Sequence, residues 1–193
     1  MKNKKTFFII ALVFVLLIGG ATVLYRQLGK NITAEQLATQ STNQSDESAA
    51  GETEQKIKAP DFTVYDADGN EVHLADYIGK PIVLNFWASW CGPCQSEMPD
   101  FHEKYLELGD DVHFLMINMT DGARETVESA SAFIAKNGYA FPVFYDTKSD
   151  AASIYGAYSL PTTFFIDADG YAIAQATGAI DAETLQRGLD MIK

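Results

Sequence analysis

The 193-residue chain is long enough for one domain with appended segments. Its hydrophobic content of 47% is ordinary for a globular protein, so the core needs neither a disulfide framework nor a structural metal. The net charge is −12, and every acidic residue lies after residue 30, where 26 acidic residues accompany nine basic ones. This balance argues against nucleic-acid binding, because no basic groove can form to neutralise phosphates.

The N-terminus carries the signals of an exported protein. Three lysines precede an uncharged stretch at 7–24, which meets the lower length limit for a membrane-spanning helix. The excess of positive charge before this stretch predicts a cytoplasmic N-terminus and an extracytoplasmic domain. We predict an uncleaved anchor within residues 1–30. A cleaved signal peptide, which would release a secreted protein, is the alternative, since small residues at 19–21 offer a cleavage point.

Residues 31–56 form a polar segment that is rich in Thr, Gln, Ser, Asn, Ala and Glu. This composition predicts a flexible linker, with an r.m.s. span of roughly 25–30 Å. A single domain is predicted over 57–193, and it opens with a β-hairpin formed by 62–65 and 71–74 around a Gly-containing turn.

The rest of the domain alternates apolar runs with segments of helical periodicity. The predicted strands are 82–87, 112–118, 142–145, 162–166 and 171–177. The predicted helices follow residue 91 up to Gly109, then cover 123–136 and 150–155, and a last helix begins after Asp181 as its N-cap. This order is typical of an α/β fold with a central sheet flanked by helices.

The only two cysteines, Cys91 and Cys94, lie between the first long strand and the helix that follows. Two cysteines and three scattered histidines do not make a zinc site, so we predict no metal. Pro93 suits a first helical turn, which places Cys91 just ahead of the helix, where unpaired amide donors and the helix dipole favour a thiolate. A structural disulfide is the less favoured interpretation, because so small a ring removes little unfolded-state entropy.

A dithiol at this spacing can reduce a disulfide in two steps. The thiolate of Cys91 attacks first and forms a mixed disulfide, and Cys94 then attacks Cys91 and releases the product. We assign attack to Cys91 because it lies at the turn, whereas Cys94 lies inside the helix and is shielded.

The stretch 87–94 resembles the active site of thioredoxins, and its continuation over 94–99 resembles the membrane-tethered TlpA/ResA-like branch of that family. The stretch 159–167 is similar to the family's cis-proline loop and the strand after it. The resemblance extends from about Ala59 to the C-terminus. It implies an α/β thioredoxin fold, with a central mixed sheet flanked by helices and an added N-terminal β-hairpin.

The resemblance also implies a function. It predicts an exported, membrane-tethered thiol-disulfide oxidoreductase with a monomeric domain and no cofactor, which reduces protein disulfides and can serve cytochrome c maturation. The pair Gly92 and Pro93 occurs in reducing thioredoxins. A reductase outside the cytoplasm needs electrons from across the membrane, so the implied donor is a thiol-disulfide transporter of the CcdA/DsbD type.

The implied substrate-binding residues surround Cys91 and the cis-proline loop: Trp90, Gly92, Pro93, Leu160 and Pro161. Trp87, Trp90 and Pro161 are expected to form an apolar collar around Cys91. The alternative is ordinary core packing, above all for Trp87. A cis bond between Leu160 and Pro161 would offer the main chain of Leu160 to an extended substrate.

Glu97 is the third predicted catalytic residue. It follows Cys94 by three positions and therefore shares its helical face. Asn85 occupies the place where cytosolic thioredoxins carry a buried aspartate, which leaves Glu97 as the nearest candidate for proton transfer with Cys94. The alternative is that Glu97 complements the helix dipole and points into water.

Two other functions remain open on the same fold. A thiol peroxidase is one, although peroxiredoxins place a threonine three residues before the attacking cysteine and Ala88 stands there. A metal or copper chaperone is the other, although it requires a wider cysteine spacing and a partnering histidine in a loop.

Overall fold

The computed structural model describes residues 37–39, 56–109 and 111–193, which belong to one compact unit, Gln36–Lys193. The predicted anchor at 1–30 and most of the predicted linker lie outside the described residues. Within the described ranges, no helix has the length and apolar character needed to cross a membrane.

A mixed sheet of nine strands forms the centre of the described domain. Its strands are β1 (Ala38–Thr39), β2 (Ile57–Lys58), β3 (Thr63–Tyr65), β4 (Glu71–His73), β5 (Ile82–Trp87), β6 (His113–Asn118), β7 (Val143–Tyr145), β8 (Thr162–Ile166) and β9 (Tyr171–Thr177). The order across the sheet is β1-β9-β8-β5-β6-β7-β3-β4, and β2 also pairs with β9. Strand β6 pairs in parallel with both β5 and β7, whereas β8 runs antiparallel to β5.

The predicted N-terminal hairpin is confirmed, and the last two predicted strands form a second hairpin. Strands β3 and β4 pair antiparallel, with Val64 opposite Val72, and β3 joins the sheet through a pairing with β7. Strands β8 and β9 also pair antiparallel. Gly170 in their turn has a φ of 81°, which favours a residue without a side chain. The added N-terminal hairpin therefore forms one edge of the sheet.

The helices of the described domain are α1 (Gly92–Leu108), α2 (Val127–Asn137), α3 (Asp150–Tyr155) and α4 (Ala182–Ile192). Helix α1 continues through Pro99 and has Gly109 as its C-cap. Asp181 caps α4 by accepting a hydrogen bond from the backbone N–H of Thr184 at 2.8 Å, as predicted. The side chains of Leu185, Leu189 and Ile192 form the buried face of α4.

Helix α2 begins at Val127, and the prediction that it begins at Ala123 was wrong by about one turn. The cause is the side chain of Asp121, whose Oδ1 accepts hydrogen bonds from the backbone N–H groups of residues 123–125 at 2.7 to 2.9 Å. These bonds hold the segment as a loop, and Thr126 then caps the helix. Residues of this loop, Asp121 and Arg124, line the cleft described below.

The central strand β5 is buried along its whole length. Ile82, Leu84 and Phe86 belong to one hydrophobic cluster, and Val83 and Trp87 belong to the other. This alternation places one cluster on each face of the sheet. Strand β5 therefore connects the buried centre of the sheet to the cysteine motif that follows it.

Candidate active site

The two cysteines lie at the junction between β5 and α1. Cys91 is the N-cap of α1 in an extended conformation, and Pro93 lies in the first turn. The backbone N–H of Cys94 donates a hydrogen bond to Cys91 Sγ at 3.2 Å, and the two sulfur atoms form a disulfide. After reduction, the same amide and the helix dipole would stabilise a thiolate on Cys91.

The two cysteine side chains differ in exposure. Cys94 is fully buried, and Cys91 is 4% exposed. The predicted order of exposure is confirmed, although Cys91 is more enclosed than its position at a turn suggested. The reason is that Cys91 lies in the lining of a cleft, where neighbouring residues cover most of its surface.

This cleft has a volume of about 530 Å³. It is lined by residues of three segments: Trp90, Cys91, Gly92 and Pro93 of the motif, Met119, Asp121 and Arg124 of the loop after β6, and Ala157, Tyr158 and Leu160 before β8. The structure thus brings together Cys91 and four of the five predicted substrate-binding residues. Trp90 is 41% exposed and Tyr158 is 82% exposed, so both can contact a docked chain.

Pro161, the fifth predicted binding residue, is buried and does not line the cleft. Its peptide bond with Leu160 is cis, as predicted. The carbonyl oxygen of Pro161 accepts a hydrogen bond from the backbone N–H of Gly178 at 2.9 Å, which ties the loop to the end of β9. Pro161 therefore acts on the cleft through the backbone of Leu160.

The expected role of Trp87 in an apolar collar was wrong. Trp87 is fully buried and belongs to the hydrophobic core cluster, where its ring packs against Phe133 with centroids 5.8 Å apart. It lies at the end of β5, beneath the motif rather than around it. Trp90 is the tryptophan that faces the cleft.

Glu97 lies on the inner side of α1 and is almost completely buried. Asn85 Nδ2 donates a hydrogen bond to its Oε1 at 2.8 Å, and the backbone N–H of Ile180 donates to its Oε2 at 3.0 Å. Burial nevertheless raises the pKa of Glu97 to about 7, against these two hydrogen bonds, which lower it. The alternative that Glu97 points into water was wrong.

A second buried carboxyl group, Glu125, was not found from the sequence. Its Oε1 accepts hydrogen bonds from the backbone N–H of Ser89 at 2.8 Å and from Asn118 Nδ2 at 2.7 Å, and its Oε2 accepts one from the Ser89 hydroxyl at 2.7 Å. Glu125 is fully buried. It therefore joins the loop after β6 to the residue two positions before Cys91.

Arg124, also not found from the sequence, stacks over the ring of Trp90, with the guanidinium carbon 3.5 Å from the ring centroid. Its backbone N–H is held by Asp121. Backbone hydrogen bonds, that of Glu125 foremost, lower the pKa of Asp121, and the charge of Arg124 adds to this effect. The cleft lining thus contains both a cation, Arg124, and an anion, Asp121.

The described residues contain no group of three or more His, Cys, Asp and Glu side chains that could hold a metal ion.

The AhpC/TSA family model matches residues 56–174. The thiol-disulfide oxidoreductase ResA of Geobacillus thermodenitrificans is 37% identical over 136 residues, which cover 70% of this chain and 76% of that relative. The chain belongs to the ResA thiol-disulfide oxidoreductases of the AhpC/TSA family.

Solved structures agree with this assignment to the ResA oxidoreductases. StoA of Bacillus subtilis superposes with a TM-score of 0.58 at 26% identity, covering 67% of this chain and 96% of StoA. The exposed lipoprotein thioredoxin of Streptococcus pneumoniae has a TM-score of 0.58 at 33% identity, covering 68% and 98% of the two chains. The predicted thioredoxin fold is therefore confirmed, and the protein is a thiol-disulfide oxidoreductase.

In the reduced protein near neutral pH, iodoacetamide is expected to alkylate Cys91 at least about tenfold faster than Cys94. Cys91 borders the cleft at the start of α1, whereas Cys94 is fully buried behind it. Peptide mass spectrometry of timed samples would measure both rates, with Cys91→Ser as a control in which Cys94 alone can react. Equal rates for the two thiols would contradict this order of reactivity.

Proposed function

We propose that this ResA-type protein reduces disulfide bonds of protein substrates outside the cytoplasm, with Cys91 as the attacking residue and Cys94 as the resolving residue. The observation that carries the proposal is the Cys91–Cys94 disulfide, which lies with Cys91 on the wall of an open cleft and Cys94 fully buried. The resemblance of Gly92 and Pro93 to the pair in reducing thioredoxins supports reduction as the direction.

The reaction has two exchange steps. The thiolate of Cys91 attacks one sulfur of the substrate disulfide, a bond forms between them, and the other substrate sulfur leaves as a thiolate and takes up a proton. Cys94 then loses its proton to the carboxylate of Glu97 and attacks Cys91 Sγ. The Cys91–Cys94 bond forms as the first substrate sulfur leaves, so the substrate gains two electrons and the protein ends as a disulfide.

The cleft supports binding of an extended segment around the substrate disulfide. Trp90, Gly92 and Pro93 supply one wall, and Leu160 lies opposite on the cis-proline loop. With Pro161 buried beneath it, Leu160 presents its main chain to a docked peptide in the manner of an added strand. These contacts need no particular side chain next to the substrate cysteines.

Each turnover oxidises the protein, so a second partner must reduce it. We propose that the segment at 7–24 anchors the chain and that a membrane transporter of the CcdA/DsbD type supplies electrons to the monomeric domain over 57–193. Within the predicted linker 31–56, Ala38 and Thr39 pair with β9, so the residues between the anchor and β1 would form the tether that gives the domain reach above the membrane. Apocytochromes c, with their paired cysteines, are a substrate class that fits such a reductase.

Replacing the resolving cysteine tests the proposed function. In Cys94→Ser the second step is blocked, so substrates are expected to accumulate as mixed disulfides on Cys91 and to be released by dithiothreitol. Mass spectrometry of the protein captured from membranes would identify them, with Cys91→Ser as the control that captures none. Equal capture by both variants would contradict the roles of the cysteines, and capture of apocytochromes alone would exclude a broad reductase.

A further inference from the structure

Arg124 is held in place at the cleft by three neighbours. Its guanidinium stacks over Trp90, its backbone N–H donates to Asp121 Oδ1 at 2.7 Å, and the next residue, Glu125, is fully buried. The anchoring of Glu125 to Ser89 fixes the spacing between this loop and the motif. The side chain of Arg124 is therefore held beside Trp90, the residue that precedes Cys91 in the motif, and both line the cleft.

The guanidinium retains its capacity to bind an anion. Across the described residues, Arg124 makes no ion pair within 4.0 Å, since its interaction with Asp121 is electrostatic at longer range. Stacking uses the flat face of a guanidinium and leaves its N–H groups, which lie in the plane, for a carboxylate. Among the described residues that line the cleft, Asp121 and Arg124 alone have charged side chains, and Oδ1 of Asp121 already accepts three backbone hydrogen bonds.

We propose that Arg124 is a specificity-determining residue that selects substrates with an acidic side chain beside the reacting cysteine. This inference rests on the proposed function. The carboxylate of such a substrate would receive a bidentate hydrogen bond from the guanidinium while its disulfide lies against Cys91. The domain as a whole is acidic, but charges more than about 10 Å away are screened at physiological ionic strength. The ion pair between Arg124 and the substrate carboxylate therefore determines which substrates are preferred.

The test uses three synthetic peptides that carry an internal disulfide in the sequence x-Cys-Gly-Ser-Cys-x, where both flanking residues are Glu, Gln or Lys. The purified full chain is reduced beforehand and freed of reductant, and single-turnover rate constants are measured by tryptophan fluorescence and chromatography. Each constant is divided by the rate constant of the same peptide with dithiothreitol, which removes the effect of the flanking charge on intrinsic reactivity.

For the wild-type protein, the corrected rate constant of the Glu peptide is expected to exceed that of the Lys peptide about fivefold, as one partly exposed ion pair allows. The ratio should fall to about one in Arg124→Gln, and to an intermediate value in Arg124→Lys, which keeps the charge but loses the bidentate geometry and the stacking on Trp90. Lys136→Gln, which removes a positive charge from the exposed end of α2, should leave the ratio unchanged.

Equal corrected rates for the Glu and Lys peptides in the wild type would overturn the selection while leaving the reductase function intact. A ratio that survives in Arg124→Gln would likewise overturn the role of Arg124. Failure of all three peptides to react would contradict the proposed function itself, and the inference with it.

Discussion

Replacement of Glu125 by Ala is expected to destabilise the fold by about 3–5 kcal/mol. The substitution leaves the backbone N–H of Ser89 and the side-chain amide of Asn118 without their acceptor in a fully buried place, and an unsatisfied buried donor costs about 1–3 kcal/mol. Urea unfolding of the oxidised protein, followed by tryptophan fluorescence, would measure the change.

Two variants make this expectation specific. In Glu125→Gln the amide oxygen can still accept from Ser89 and Asn118, and the amide nitrogen can donate to the Ser89 hydroxyl, so most of the stability should remain. Glu128→Ala removes the same side chain from the exposed first turn of α2 and should have a much smaller effect. A small loss in Glu125→Ala would show that this network does not hold the loop.

Local patterns in the sequence were sufficient for most of the fold. Strands β8 and β9 and helix α3 have the predicted bounds, because turn residues and N-caps separate them from their neighbours. The cysteine motif could be predicted from the spacing of Cys91 and Cys94. The cis bond before Pro161 was implied by the resemblance of the stretch 159–167 to the cis-proline loop of the thioredoxin family.

The loop after β6 could not be predicted in the same way. Residues 123–126 continue the polar pattern of α2, but the side chain of Asp121 binds three of their amides and holds the segment as a loop. Ser89 and Trp90, the partners of Glu125 and Arg124 beside the cysteines, lie 36 and 34 positions earlier in the chain. Contacts over such separations depend on the way the sheet brings β5 and β6 together.

Asn85 shows both the value and the limit of the sequence. Because Asn85 replaces the aspartate of thioredoxins, Glu97 was predicted to exchange a proton with Cys94. The structure places Asn85 within hydrogen-bond distance of Glu97. What could not be read from the sequence is that Asn85 also donates to Thr163 at 2.9 Å and that Ile180 completes the shell of Glu97. Thr163 lies on β8, and Ile180 lies in the segment before α4. These two elements help to bury the carboxyl group of Glu97, which could not be inferred from its position on α1 alone.

The oxidised protein is expected to lose about 2–3 kcal/mol of stability between pH 5 and pH 8, and Glu97→Gln is expected to remove this loss. Burial raises the pKa of Glu97 to about 7 in the folded protein, compared with an ordinary value of 4.5 in the unfolded chain. The folded state therefore binds the proton more tightly. Its stabilising effect is complete below pH 4.5 and disappears as the pH rises through 7.

Urea unfolding of wild type and Glu97→Gln at several pH values would test this, because the disulfide keeps both thiols from titrating. Burial lowers the pKa of His113, which gives the opposite slope, but that contribution is common to both proteins and cancels in their difference. A parallel pH dependence in the two proteins would show that Glu97 is ionised throughout.

In the reduced protein, the same substitution should lower the apparent thiol pKa values and slow disulfide reduction at least about tenfold, because Cys94 loses its proton acceptor.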